Sequence, residues 1–151
     1  MNLAHYLGLL HRTESNLSDA FCQVADAHED EPDVARDCRR MARQCHVHVD
    51  ELRPFVDRYG EDADDEPDRL HSDLFHGTRE GGLALLRDLH DLYLMASEAD
   101  LTWTLIGQAA QGARDHELLE VVHHCETDTT TQLAWLKTRS KQAAPQALVV
   151  A

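Results

Sequence analysis

Aromatic residues make up only 5% of this 151-residue chain, and lysine occurs just twice. With so few aromatic and clustered β-branched residues, a sheet-rich fold lacks its usual building blocks, whereas abundant Leu and Ala favour helix. The four prolines and seven glycines are too sparse for a loop-dominated or low-complexity chain. Basic residues are in short supply: 14 Lys and Arg face 28 Asp and Glu, for a formal charge of −14. That balance excludes a phosphate-neutralising surface, so no nucleic-acid partner is expected. It suits a self-repelling surface or one that draws in cations. Arg outnumbers Lys twelve to two, which reads as genome composition.

Long apolar runs are also missing. No segment approaches the roughly 20 residues that span a bilayer, so no membrane partner is expected. Met1 to Leu10 has no basic flank, and His5 interrupts its apolar run, so no secretion signal is expected and the protein reads as cytoplasmic. Cys22, Cys38, Cys45 and Cys125 then read as reduced thiols, with none of the spacings of a zinc finger or ribbon. Cys38 and Cys45 lie seven apart on one predicted helix face, which argues against a local disulfide.

The length suits one domain with one core, residues 1–151, and the pattern predicts an all-α fold of four long helices. Helix 1 is predicted over about 2–28, with Asn2 as N-cap, and helix 2 over 32–59, opened by Pro32 and stopped by Gly60. Residues 60–77 form an acidic linker with a short amphipathic helix carrying Leu70, Leu74 and Phe75. Helix 3 is predicted over 78–111, capped by Thr78, with Gly107 a close-packing point and Gly112 breaking the chain. Helix 4 covers 115–142, capped by Asp115 and ended by Pro145. The apolar tail 146–151 is expected to pack on the bundle.

Each helix carries one ionisable residue in an apolar stripe. In helix 1, Leu3, Leu7, Leu10, Glu14, Leu17, Phe21 and Val24 repeat at alternating spacings of three and four, the signature of an inward face. Glu14 sits where Leu would be the default. The same fault recurs at His48, Glu98 and Glu126. Burying an unpaired carboxylate costs several kcal/mol, against a net domain stability of roughly 5–15 kcal/mol. A bound cation, or pairing with a buried Arg, His or proton, makes such groups tolerable. Hairpin arithmetic places Glu14 opposite residue 47 and sets Glu98 and Glu126 equally far from Gly112. The two levels agree within about 6 Å if helix 3 runs parallel to helix 2, and differ by about 12 Å if it runs antiparallel. A long crossover between helices 2 and 3 is therefore expected.

With one crossover and a carboxylate on each of three helices, the chain resembles the ferritin-like superfamily, whose four-helix bundles hold two metal ions. That family places a Glu on helices 1 and 3 and a Glu-x-x-His on helices 2 and 4. The resemblance spans most of the chain as architecture and rests on four matched positions. It implies that Glu14 and Glu98 are the ligands of helices 1 and 3, His48 the histidine of helix 2 and Glu126 the glutamate of helix 4. Cys45 stands where helix 2 should carry its Glu, and Thr129 where helix 4 should carry its His. A Cys45 thiolate would soften the site toward zinc or iron. Glu51, His123 and His11 lie close enough along the stripes to substitute for missing ligands.

Two classes of function remain open. The first is a ferritin-like metal protein binding one or two iron ions, with manganese or zinc as alternatives. If redox-active, it would be an oxidoreductase acting on dioxygen, peroxide or ferrous iron, with no catalytic residue beyond the ligands. The second is a metal-free bundle serving dimerisation, partner binding or a small apolar ligand. An extra apolar face of helix 3 (Leu92, Met95, Ala99 and Ile106) would then suit a partner helix or a homodimer.

Overall fold

The computed structural model describes residues 2–60 and 74–150. Four long helices account for most of them: α1 (Leu3–Ala27), α2 (Pro32–Gly60), α3 (Ala84–Ala113) and α4 (His116–Pro145). A π-helical turn, Gln146–Val150, follows α4. Among the described residues there is no strand, and no helix is long and apolar enough to cross a membrane.

The α1 stripe is buried as its spacing predicts, with Leu7, Leu10, Leu17, Phe21 and Val24 wholly inside. In α2 the buried line is Val34, Cys38, Met41, Cys45, His48, Leu52 and Phe55. These faces make α1 pack along α2 and α3; α3 packs along α4, which meets α2 more sparingly. The core falls into two apolar clusters. One gathers Leu17, Phe21, Val34, Met41, Leu89 and Leu92 near the α1–α2 turn. The other gathers Leu7, Leu52, Trp103, Ile106, Leu118 and Val122 near the α3–α4 turn.

Polar contacts at both ends fix which termini meet. His28, at the end of α1, bonds Asp88 near the start of α3 at 2.8 Å. Arg139 of α4 reaches Asp33 and Glu31 beside the start of α2, at 2.8 and 3.1 Å. At the opposite end, the Tyr59 hydroxyl of α2 donates to Asp115 at 2.6 Å. Asp115 caps α4 as expected, accepting from the Leu118 amide at 3.1 Å.

Four local expectations need correction. Asn2 occupies the N-cap position of α1 but makes no side-chain capping bond. Thr78 does not cap α3, which starts six residues later at Ala84. Gly81 takes a left-handed φ of 93° and interrupts any earlier helix, and the Arg79 backbone N–H and side chain both bond Asp88 instead. The short helix expected over 60–77 falls largely on residues 61–73, outside those described, and Leu74 and Phe75 are half-buried without helical structure. Gly112 does not break α3; the turn is made at Arg114, whose φ of 55° is left-handed. Gly107 is a close-packing point, because a Cβ there would meet Val122 Cγ1 at 3.1 Å.

α3 is also turned differently from its expected orientation. Leu92, Met95, Ala99 and Ile106 face the core, while Leu94, Leu101 and Leu105 are exposed. The extra apolar face of this helix is thus the second set.

Candidate functional site

A polar layer separates the two apolar clusters, and each helix contributes one residue to its centre. Glu14 of α1 is wholly buried. Its Oε1 accepts from the indole Nε1 of Trp103 on α3 at 2.7 Å. Its Oε2 faces Nδ1 of the equally buried His48 on α2 at 3.3 Å. That contact lacks hydrogen-bond alignment, and neither atom has another hydrogen-bond partner. His48 Nε2 lies 2.9 Å from Asp128 of α4, and its ring stands edge-on to Trp103 with centroids 5.9 Å apart.

His48 is therefore held between two carboxylates. Burial opposes its protonation, but pairing with Glu14 and then with Asp128 outweighs burial and raises its pKa. A charged imidazole beside Glu14 would offset part of the cost of burying that carboxylate. Cys45 adjoins the layer: its thiol lies 3.9 Å from Gln132 Oε1, and Gln132 Nε2 donates to Gln44 at 3.0 Å. Burial, then the neighbouring charge of Glu14, pushes the Cys45 thiol well up.

A second group lies between α2 and α4. Glu51 Oε2 is 3.2 Å from His124 Nδ1 and accepts from the Cys125 thiol at 3.4 Å. Among the described residues this is the group of three donors close enough together to share a metal ion. The two separations from Glu51 are near the edges of a tetrahedral site, where bonds of about 2.0–2.3 Å give ligand–ligand distances of roughly 3.3–3.8 Å, and all three donor atoms lie within 4.8 Å of one another. Burial, then Glu51, raises the Cys125 thiol, so binding would have to displace its proton. The His124 and His48 rings are 6.4 Å apart, which puts the group next to the polar layer.

The structure brings Glu14, Cys45 and His48 together and leaves Glu98 and Glu126 elsewhere. Glu98 is half-buried in an outer groove of α1 and α3 lined by Thr13, Asn16, Asp19 and Met95. Glu126 accepts from Thr104 at 3.1 Å on the outside of α3 and α4. The midpoint of 104 and 126 centres this hairpin on Asp115, three residues past Gly112. Glu98 and Glu126 then differ in height by about six residues, or about 9 Å. Trp103 and Asp128 occupy the places expected for Glu98 and Glu126.

Asp128 was missed because it flanks the α4 stripe. Gln132 was legible, since 125, 129, 132 and 136 form the buried stripe of α4 and a glutamine stands in it. His28, at the end of α1, is buried. His124 is one of the three residues of the α2–α4 group, although its side chain is largely exposed. Comparison with protein-family models, curated proteins and solved structures finds no significant match.

Proposed function

We propose that this protein is a metal-binding four-helix bundle of ferritin-like topology that takes one divalent ion between α2 and α4. The observation that carries the reading is the convergence of Glu51, His124 and Cys125 at 3.2 and 3.4 Å. A donor set of oxygen, nitrogen and sulfur ranks zinc or ferrous iron above manganese. Glu51 and Cys125 would neutralise the ion's charge and His124 would complete a three-point hold, with the fourth position open. Iron there would supply dioxygen or peroxide chemistry, whereas zinc would act structurally or as a Lewis acid. The polar layer beside it, where Glu14 and Asp128 raise the pKa of His48, would set the electrostatic environment of the site.

The end contacts support the ferritin-like connection. With His28 against Asp88 and Tyr59 against Asp115, α3 runs parallel to α2. A parallel α2–α3 pair is the arrangement that a ferritin-like connection would give.

The test is cobalt substitution on protein purified without chelator or nickel resin. Cobalt should produce a thiolate charge-transfer band that Cys125→Ser abolishes, and Glu51→Ala or His124→Ala should weaken binding at least about tenfold. Zinc titrated by calorimetry in two buffers should release about one proton. Protein that binds neither ion, yet melts unchanged, sinks the metal reading. One observation favours a metal-free bundle: Trp103 donates to Glu14, and His48 lies between Glu14 and Asp128, so charged groups already surround the buried carboxylate. Metal-free, fully folded protein after growth in iron, manganese and zinc is the outcome that reading expects.

A further inference from the structure

Both lysines of the chain, Lys137 and Lys141, line one groove between the start of α3 and the end of α4. Its volume is about 650 Å³, and its floor and walls are apolar: Leu83, Leu86, Tyr93, Ala144 and, from the π-helical turn, Leu148. Arg87 and His90 join the two lysines at the rim, and no Asp or Glu is among the lining residues. In a chain with twice as many acids as Lys and Arg, that concentration of positive charge stands against the general surface.

The cations are also uncommitted. Arg36, Arg39, Arg58, Arg79 and Arg139 each lie within 4 Å of a carboxylate. No such ion pair among the described residues involves Arg87, Lys137 or Lys141. Lys137 and Lys141 stand one helical turn apart on the same face of α4, so both reach the same rim. Leu83 and Leu148, in the same groove, are 48% and 66% exposed, an apolar surface that no other described residue covers.

From this pairing of apolar floor and basic rim we propose that the groove binds an anionic amphiphile: a free long-chain carboxylate, its chain along Leu83, Leu86 and Leu148 and its head between Lys137, Lys141 and Arg87. Charge complementarity selects this occupant. The rest of the strongly acidic chain repels such a ligand, so the basic rim is where its head is stabilised. A groove of this size also lies within the range of small-molecule sites. It shares no residue with the α2–α4 group, so the proposal stands apart from the metal reading.

Calorimetry with dodecanoate below its micelle concentration tests it. One-to-one binding is expected, with dodecyltrimethylammonium and dodecanol each at least about tenfold weaker. The Lys137→Glu, Lys141→Glu variant should lose about tenfold in affinity. Ala144→Trp keeps the charges and fills the floor, and should also abolish binding while circular dichroism remains unchanged. Equal binding of the neutral or cationic probe overturns the proposal. So does binding only to vesicles of anionic phospholipid, or a dimer in sedimentation that Ala144→Trp dissociates.

Discussion

Glu14 and Trp103 are both wholly buried and share a 2.7 Å hydrogen bond, so their energies should be coupled. A carboxylate–indole bond in a dry core is worth about 1.5–3 kcal/mol net. Trp103→Phe removes that bond and a slice of ring volume, adding about 1 kcal/mol for the space left behind. The expected loss is about 3–4 kcal/mol, a large share of a domain's roughly 5–15 kcal/mol. Glu14→Gln keeps an oxygen for the indole but removes the charge facing His48, for an expected loss of about 1–3 kcal/mol. In the double variant the charge-assisted part of the bond is removed only once. Its loss should therefore fall short of the sum by about 1 kcal/mol or more. Urea unfolding followed by far-ultraviolet circular dichroism, in chelator and at fixed pH, gives all four corners of the cycle. Additivity within about 0.5 kcal/mol would show that the two side chains are neighbours without energetic consequence, and the polar layer would lose its central bond.

The raised pKa of His48 means that the folded protein holds this proton more tightly than the unfolded chain. Its contribution is complete below the ordinary value of about 6.5 and is lost as pH rises through the folded value, so chelator-treated protein should lose stability as pH rises from about 6.5. His48→Gln should flatten that part of the stability–pH curve; an unchanged slope would contradict the pairing. Of the four thiols only Cys22 is exposed, and burial pushes Cys38 up to about 12. An aromatic disulfide reagent should thus titrate one thiol quickly in native protein and four in denaturant, and two or more fast thiols would refute the buried assignments. Asp115→Ala should cost about 1–2 kcal/mol, since it removes the α4 cap and the acceptor of Tyr59. Arg114→Gly should raise stability by up to about 1 kcal/mol by relieving its left-handed backbone; a lower urea midpoint would contradict that account.

The sequence reading succeeded where one face of a helix dominates. The stripes of α1 and α2 have no rival, so their inward residues could be named, and counting from the turn placed Glu14 against His48. α3 offers two stripes. One is Leu94, Glu98, Leu101 and Leu105; the other is Leu92, Ala96, Ala99, Trp103 and Ile106. Counting leucines favours the first, yet the second is buried. Its small residues let neighbouring helices approach, and Gly107 behind it meets Val122, so packing distance decides what hydrophobicity leaves tied. That rotation carries Glu98 out of the core with its leucines. For Glu126 the cause lies in the turn: centring the hairpin on Gly112 instead of Asp115, where the Thr104–Glu126 pair puts it, shifts every pairing. That three-residue error in the centre moves each cross-hairpin partner by about six residues, or about 9 Å, enough to exchange one polar residue for another in a layer one residue thick.

The expected problem, a carboxylate buried at mid-height, is therefore real, and Trp103 and Asp128 stand around the Glu14–His48 pair where Glu98 and Glu126 are expected. A bound cation and an imidazolium answer the same electrostatic demand, and hydrophobic periodicity records only the demand. What distinguishes them is the identity of the partners on the remaining helices. Carboxylates on either side of His48, one of them held by the Trp103 N–H, favour a protonated histidine. A metal held at the same place would need neutral imidazole and would compete with that proton. At the α2–α4 group the proton that binding would have to displace is that of the buried Cys125 thiol. Glu14, His48, Trp103 and Asp128 meanwhile tie all four helices together at one level, which fixes the register of the bundle.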